Sequence, residues 1–241
     1  MGKLYVIGIG PGGLDHLSKR ALDCIKESDV IVGYNKYIEF LQPLLEHQRI
    51  HQTGMTKEID RCKEALRLSK DHIVSLVSTG DAGVYGMAGL ALELRTDEEI
   101  EIIPGITAAC SAASVLGAPL MHDHCNISLS DLMTPYDVIK KRVKAAAEAD
   151  FVISLYNPRS KGRPHYLNEC MGIIKECRDK TTPVGIVKNA LRDGQEMTLT
   201  TLGDFQDTYV DMMSIVIIGN STSYIKDGQF ITKRGYENKG V

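Results

Sequence analysis

The sequence predicts an α/β protein made of two halves of similar length. Three observations carry this prediction: short β-branched apolar runs alternate with helical segments, Gly/Pro-rich loops follow several of these runs, and the alternation pauses and then restarts. The pause begins at Gly117–Pro119 and continues as a polar, histidine-bearing segment to Asp131. A chain of 241 residues is long enough to bury two modest cores. We therefore expect one domain over 1–117 and a second over 118–241.

The first half reads as a regular alternation of strands and helices. Apolar runs predict four strands, at Leu4–Ile9, Val30–Tyr34, Ile73–Thr79 and Ile100–Ile103. Helices are expected around them: one capped by Asp15 or Ser18 and running to Lys26, then Tyr37–Leu45, Ile59–Lys70, Met87–Arg95 and Thr107–Leu116. In the third helix, Ile59, Cys62 and Leu66 share one apolar face, which we expect to be buried. Such alternation is typical of a mostly parallel sheet.

The second half repeats this pattern less regularly. Buried strands are expected at Phe151–Tyr156, Val184–Lys188 and Ser214–Gly219, and an edge strand at Thr198–Leu202. Two helices are expected in this half, at Pro135–Ala149 and His165–Cys177.

Composition excludes several classes of function. The net charge of −3 and the pI of about 6.2 leave no basic surface for nucleic acid or an anionic membrane. No apolar run approaches the ~18–20 residues that span a bilayer, and the first residues form a strand pattern rather than a signal peptide. We expect a cytoplasmic protein. The six cysteines form no C-x-x-C pair, so we expect neither a metal site nor a redox role.

Three glycine-containing loops follow predicted strands, at Gly8–Gly12, Gly80–Gly86 and Pro104–Ala108. The carboxyl ends of strands in an open α/β sheet are where small ligands bind, and glycine lets a ligand approach the backbone closely. Each loop taken alone is equally compatible with an ordinary strand-to-helix turn. Their recurrence in one half of the chain favours a ligand site.

The first loop does not match the motifs that bind pyrophosphates. It lacks the G-x-G-x-x-G spacing, and Pro11 removes an N–H donor that would cradle a phosphate. Gly33 and Tyr34 close the second strand, where a dinucleotide fold would place an acidic residue. No G-K-[ST] follows, which excludes a P-loop. These loops therefore suit a nucleoside ligand without an essential pyrophosphate, and S-adenosylmethionine fits that description.

In order and spacing, the three loops resemble the tetrapyrrole (precorrin) methylases, over essentially the whole chain. The resemblance implies an α/β fold of two domains, each a mixed sheet flanked by helices, with S-adenosylmethionine in the interdomain cleft and S-adenosylhomocysteine as product. By matching position it assigns cofactor contacts to residues that follow strands, namely Pro11, Thr79, Gly80, Asp81, Val84, Tyr85, Thr107, Ala108, Asn157, Asn189 and Ala190. Asp81 has an alternative role as a turn-forming residue.

Three segments of the second half, 117–123, 127–135 and 155–163, resemble the branch of the family that methylates a corrin precursor at C-17 and contracts the ring. The resemblance implies a homodimer that converts cobalt-factor III to cobalt-precorrin-4, with cobalt carried by the substrate. The alternatives are the same step on metal-free precorrin-3B, or a family methylase of different regiochemistry. A different class, a non-catalytic nucleoside-binding sensor, is also compatible with intact cofactor loops.

Methyl transfer needs mainly alignment and the exclusion of water, whereas ring contraction also needs a general base and a donor. A polar cluster offers Asp123, Ser130 and Asp131 for these roles. Asp131 could instead be a helix cap, and Ser130 could face solvent.

Four basic side chains are expected to bind the substrate's carboxylates: His122 and His124, which belong to this cluster, and Arg159 and Arg163, which lie beside the predicted cleft. The two arginines could instead belong to a solvated loop. The His-x-His pair lacks a third ligand, so we do not expect it to hold a metal.

Overall fold

The computed structural model describes residues 2–236, and these form two compact units that divide between Ala108 and Ala109. Among the described residues, no helix combines the length and the apolar character needed to cross a bilayer. Three single-turn 3-10 helices, at Leu14–His16, Gln42–Leu44 and Asp207–Tyr209, lie between the longer elements.

The first unit is built on a five-stranded sheet. Its strands are β1 (Lys3–Gly8), β2 (Val30–Tyr34), β3 (Arg49–Thr53), β4 (Ile73–Ser78) and β5 (Ile100–Ile103). Its helices are α1 (Lys19–Glu27), α2 (Asn35–Leu41), α3 (Glu58–Leu68) and α4 (Ala88–Leu94), and α5 (Ala108–Leu116) begins at its last residue. The strand order is β3-β2-β4-β1-β5, and all four pairings are parallel.

Strand periodicity divides the apolar side chains of this sheet between its two faces. Alternate residues such as Val6 and Leu76 pack with α3 and α4, whereas Ile7 and Val77 pack with α1 and α2. Both faces are therefore covered, as a parallel sheet requires.

Within its described residues, 109–236, the second unit contains eight strands and two further helices. Its strands are β6 (Gly117–Ala118), β7 (His124–Ser128), β8 (Val152–Tyr156), β9 (Pro183–Lys188), β10 (Glu196–Thr201), β11 (Ser214–Ile218), β12 (Ser223–Lys226) and β13 (Gln229–Thr232). Its helices are α6 (Tyr136–Glu148) and α7 (Tyr166–Cys177). The main sheet has the order β10-β9-β11-β8-β7, in which only β7 and β8 pair in parallel.

The two faces of this second sheet are covered differently. One face packs against α6 and α7 in a single large apolar cluster. On the other face, α5 presses the Leu116 side chain against Gly185 on β9, where a Cβ would lie 2.5 Å from a Leu116 methyl carbon. Glycine at this position lets the helix approach the sheet closely.

A small third sheet joins β12, β13 and β6. Asp227 and Gly228 connect β12 to β13 with φ angles of +51° and +74°, which is the left-handed pair of a type I′ hairpin turn. An Asp-Gly pair between two short segments rich in aromatic and β-branched residues is a strong hairpin signal, and it is visible in the sequence at 223–232.

The predicted α/β class with helix-flanked sheets is confirmed, and the strand at Ile100–Ile103 has the predicted bounds. The expectation of a mixed sheet holds for the second unit, while the first sheet is parallel throughout. The helix cap is Ser18, whose Oγ accepts a hydrogen bond from Ala21 N at 3.2 Å. Ile59 was expected in the core but is 49% exposed, because the buried face of α3 begins at Arg61 and Cys62.

Candidate active site

The strand connections of the first unit are those that form a ligand-binding crevice in α/β proteins. β1 and β4 are neighbours in the sheet, but the chain after β1 leads to α1 on one face and the chain after β4 leads to α4 on the other. Such a divergence leaves an opening at the carboxyl ends of the two strands, and ligands bind there. Two of the predicted glycine loops line this position.

The two loops are joined across the crevice by their own backbones. Gly10 N donates to Gly80 O at 3.0 Å, and Gly80 N donates to Gly10 O at 2.7 Å. Both glycines have positive φ, +65° and +68°, a conformation that costs other residues free energy. The Thr79 hydroxyl adds a hydrogen bond to Gly10 O at 3.3 Å. The predicted cofactor residues Thr79 and Gly80 are therefore held in a fixed backbone conformation.

The third loop crosses the first two at van der Waals distance. A Cβ on Gly105 would lie 2.3 Å from Gly80 O and 2.4 Å from Gly8 O, and one on Gly8 would lie 2.8 Å from Gly105 N. Glycine at positions 8 and 105 therefore serves the crossing of backbones. This role differs from the predicted close approach of a ligand. Gly83 remains open, since a Cβ there would meet only the Asp81 carboxylate at 3.2 Å.

Asp81 ties these loops together with both carboxylate oxygens. Its Oδ1 accepts from Gly83 N at 2.8 Å, which is the Asx turn expected as its alternative role. Its Oδ2 accepts from Gly105 N at 3.0 Å and so links the second loop to the third. Each carboxylate oxygen has a further lone pair, so this anchoring leaves Asp81 able to contact a ligand.

The remaining predicted cofactor residues of this unit lie on the same loops. Tyr85 has a φ of +54° and is 55% exposed, so the turn holds this large side chain in solvent. Pro11 is buried, while Val84, Thr107 and Ala108 are half-buried. The three loops contain no lysine or arginine, and Asp81 is their one ionisable acid. They suit an uncharged or cationic ligand better than a phosphate.

In the second unit, Asn157 follows β8 and Asn189 follows β9, two strands that run in the same direction on either side of β11. Both residues therefore lie at the same edge of the second sheet. Both adopt left-handed φ angles, +50° and +49°, which asparagine tolerates better than most residues. Asn157 Nδ2 donates to Ser128 Oγ at 3.0 Å, and Asn189 Nδ2 donates to Gly194 O at 3.2 Å.

An ion pair stands beside Asn189 and Ala190. Lys188 Nζ lies 3.1 Å from Asp211 Oδ2, and Asp211 Oδ1 also accepts from Met213 N at 2.8 Å. Burial is the largest single effect on the pKa of Asp211 and acts to raise it, but the hydrogen bonds from Lys188, Met213 N and Ser214 together outweigh burial and lower this pKa. The hydrogen bond to Asp211 raises the pKa of Lys188. Asn189 N in turn donates to Met213 O at 3.2 Å, so the ion pair braces the loop that carries Asn189.

Asp131, from the predicted polar cluster, forms side-chain contacts with two residues of the same unit. Asp131 Oδ2 accepts a hydrogen bond from the Tyr166 hydroxyl at 2.8 Å, and its Oδ1 lies 3.6 Å from Arg163 Nε. This hydrogen bond, together with burial, raises the pKa of Tyr166. Asp131 does not cap a helix, because the N-cap of α6 is Pro135. That alternative is wrong, and Asp131 instead belongs to a side-chain network.

The two predicted substrate-binding arginines also hold the protein's own backbone. Arg163 Nη1 donates to Leu129 O at 2.5 Å and to Asn157 O at 3.5 Å. Arg159 Nη1 donates to Asp207 O at 3.0 Å and lies 3.3 Å from the Asp207 carboxylate. Neither arginine is merely solvated. Arg163 in particular joins the ends of β7 and β8.

The other predicted residues of the cluster are more accessible. Asp123 and His124 are exposed, and His122 and Ser130 are half-buried. His122 Nδ1 accepts from Asp123 N at 2.9 Å, and Ser130 N donates to Ser128 Oγ at 3.2 Å. The Asp123 carboxylate and the Ser130 hydroxyl have no hydrogen-bond partner within residues 2–236.

Sequence reasoning does not single out Tyr166, Lys188 or Asp211. Lys188 is the last residue of its predicted strand and directly precedes the predicted Asn189, so its position at a strand end is a usable signal. Tyr166 is 35 residues from Asp131 in the chain, and no local pattern connects them. The Tyr166 ring also stacks on Tyr136 at 3.7 Å between centroids, with a 13° angle between planes. Burial is the main cause that raises the pKa of Tyr136.

Metal-ligating side chains do not cluster in the part of the chain that the structure describes: no three His, Cys, Asp or Glu residues are placed to hold an ion. The six cysteines are free thiols.

Comparison with known proteins identifies the family of the chain. The family model of the tetrapyrrole (corrin/porphyrin) methylases matches residues 3–206. The chain belongs to the tetrapyrrole methylases. It is therefore a member of a methyltransferase family, as predicted.

Individual proteins of this family are similar to the chain over nearly its whole length. The chain is 50% identical over 238 residues to a probable cobalt-factor III C(17)-methyltransferase of Salmonella typhimurium, covering 97% of this chain and 99% of that one. It is 36% identical over 238 residues to a precorrin-3B C(17)-methyltransferase of a Sinorhizobium species, covering 95% and 93%. A crystal structure of the methyltransferase CobJ superposes with a TM-score of 0.92 at 34% identity, covering 97% of this chain and all of that one.

Proposed function

We propose that this tetrapyrrole methylase transfers a methyl group from S-adenosylmethionine to C-17 of cobalt-factor III, with contraction of the macrocycle to give cobalt-precorrin-4. The observation that carries the proposal is the set of three glycine loops joined at the carboxyl ends of β1, β4 and β5. The choice of substrate is supported by the 50% identity to the cobalt-factor III relative, against 36% to the precorrin-3B relative.

The loops fit the proposed cofactor in charge and shape. S-adenosylmethionine carries a sulfonium cation and no phosphate, and the loops offer backbone groups and one carboxylate in place of lysine and arginine. The residues proposed to hold it are those that the resemblance assigns: Pro11, Thr79, Gly80, Asp81, Val84, Tyr85, Thr107 and Ala108 of the first unit, and Asn157, Asn189 and Ala190 of the second. Bound there, the cofactor supplies an activated methyl group.

The protein's part in methyl transfer is mainly positional. Rigid loops hold a ligand in one orientation, which lowers the entropic part of the barrier. The Gly10–Gly80 bridge and the Asp81 anchor provide this rigidity before any ligand binds. We propose that the Tyr85 side chain, which is exposed in this structure, covers the bound ligand and excludes water.

Ring contraction requires a group that accepts a proton and a group that donates one. Among the three residues predicted for these roles, Asp123 and Ser130 have side chains available to a substrate, whereas the Asp131 carboxylate already accepts from Tyr166 and faces Arg163. We propose that Asp123 accepts the proton, that Ser130 donates a hydrogen bond, and that Asp131 orients the network around them. His122, His124, Arg159 and Arg163 are proposed to face the substrate's carboxylates.

The test is anaerobic incubation of the protein with S-adenosylmethionine and cobalt-factor III, followed by mass spectrometry and an absorbance spectrum. We expect a product heavier by one methyl group, with the shortened chromophore of a contracted ring. Turnover of metal-free precorrin-3B alone would instead place the enzyme in the oxygen-dependent route. Binding of S-adenosylmethionine with turnover of neither substrate would contradict the C-17 assignment and leave family membership intact.

Two further expectations, the cytoplasmic location and the homodimer, stay predictions. Sedimentation of the purified protein with and without S-adenosylhomocysteine tests whether it forms a homodimer. A monomer at all concentrations would contradict it.

A further inference from the structure

The first unit also contains a buried arginine that none of the assignments above uses. Arg61, on the first turns of α3, is only 4% exposed. Arginine is rarely buried to this degree unless a carboxylate is paired with it. No carboxylate within residues 2–236 forms an ion pair with Arg61, whose recorded partners are a hydroxyl, a carbonyl and an aromatic ring.

One edge of the Arg61 guanidinium is fully engaged by the loop that follows β3. Its Nε donates to Thr53 Oγ1 at 2.8 Å, and its Nη2 donates to Gly54 O at 2.8 Å. The Tyr34 ring, at the end of β2, lies 6.0 Å from Cζ. The guanidinium is thereby fixed in position and orientation.

The opposite edge is not engaged. The N–H groups of Nη1 have no hydrogen-bond acceptor in the described part of the chain. Two terminal nitrogens of a guanidinium form a planar fork that matches the two oxygens of a carboxylate. A buried cation without a counter-charge is costly, so an anion at this edge would relieve a cost that the folded protein already bears.

The surroundings leave room for such an anion. Tyr34 and Thr53 end parallel strands, so Arg61 lies at the same sheet edge as the glycine loops of the crevice. β3 is two strands from β4, which corresponds to about 10 Å at the usual strand spacing. A Cβ on Gly54 would meet nothing within 4 Å, so the space over this loop is open.

From these observations we infer that the free edge of Arg61 binds a carboxylate of the substrate, and so fixes the macrocycle at a distance from the reacting carbon. The inference rests on the proposed function, because that function makes the ligand a polycarboxylate. It names a substrate-binding residue outside the polar cluster of the second unit.

The test is an equilibrium titration of the protein with cobalt-factor III in the presence of S-adenosylhomocysteine, in which binding is monitored through the absorbance of cobalt-factor III. We expect Arg61→Gln to weaken binding about 10- to 100-fold, the usual worth of a charge-assisted hydrogen bond. Arg61→Lys retains the charge but loses the fork, so it should fall between the wild type and Arg61→Gln. Affinity for S-adenosylmethionine should stay within about twofold, because Arg61 is not on the glycine loops.

Thr53→Val is the control for a purely structural role. It removes one of the two hydrogen bonds that position the guanidinium and leaves its charge and its free edge in place, so binding of cobalt-factor III should weaken by less than in Arg61→Gln. Equal losses in Thr53→Val and Arg61→Gln, or no loss in Arg61→Gln, would overturn the inference. If the wild type binds cobalt-factor III without methylating it, the proposed function fails while these affinities still decide the role of Arg61. If the wild type does not bind it at all, both fail.

Discussion

In the first unit the loops at the sheet edge are held together by backbone atoms, whereas in the second unit they are held by side chains. Gly8, Gly80 and Gly105 bring three strand ends within contact distance, and the side chains of Thr79 and Asp81 add hydrogen bonds to this backbone crossing. In the second unit, Arg163 and Asp131 perform the corresponding task. A backbone crossing tolerates no added atom, while a side-chain network can lose a member and relax. The two regions should therefore respond differently to substitution.

The largest effect is expected from Gly105→Ala. The added methyl group would lie 2.3 Å from Gly80 O and 2.4 Å from Gly8 O, and neither backbone segment can move without breaking its own strand pairing. We expect a loss of about 3 kcal/mol or more in the free energy of unfolding, at the upper end of the usual cost of overpacking, measured by urea denaturation.

Gly89→Ala is the matched control, because a Cβ on this exposed helical glycine would meet nothing within 4 Å. Alanine favours a helix over glycine by about 1 kcal/mol, so the variant should be slightly more stable than the wild type. A Gly105→Ala protein of normal stability would show that the loops can separate, and the contrast between the units would fail.

A smaller but still large effect is expected from Arg163→Met in the second unit. The substitution removes the hydrogen bonds to Leu129 O and Asn157 O and leaves Asp131 without its cation. Loss of one partner from a half-buried network should cost about 2–3 kcal/mol. Arg142→Met, on the exposed face of α6, should stay within about 0.5 kcal/mol of the wild type. If the two variants were equally stable, side chains would not hold this edge.

The contrast between the units also explains which features the sequence could predict. Apolar periodicity locates β2, β4 and α7 because burial imposes a period of two or of 3.6 residues. It misses β3, whose sequence Arg49–Thr53 is mostly polar and is recognised as a strand only through its pairing with β2. The glycine pattern predicts a ligand site, but it does not show that the backbone at Gly105 packs directly against the backbone at Gly8. Likewise, Asp131 is visible as a polar residue, but its partner Tyr166 is set by the packing of α7.

The smallest effect tests whether the two units, despite their different loops, have equally dry cores. Each unit buries a helix cysteine: Cys62 on α3 and Cys170 on α7. Burial raises the pKa of each thiol to about 11. The unfolded thiols ionise near pH 9 while the folded ones stay protonated. Their contribution to the free energy of unfolding is therefore fully present below pH 9 and is lost as the pH rises towards 11. Each thiol should account for about 2 kcal/mol of that loss.

Alanine at either position removes one thiol from this balance. We expect Cys62→Ala and Cys170→Ala each to lose about 1 kcal/mol at pH 7 through poorer packing, and then to decline less steeply than the wild type between pH 8 and pH 11. Urea denaturation across that range measures both the loss of stability at pH 7 and the steepness of the decline with pH. Cys110→Ala, at an exposed position, is the control and should follow the wild-type curve. If only one buried variant flattens the curve, water reaches the thiol of the other unit. Equal flattening would locate the difference between the units in the loops at their sheet edges and not in their cores.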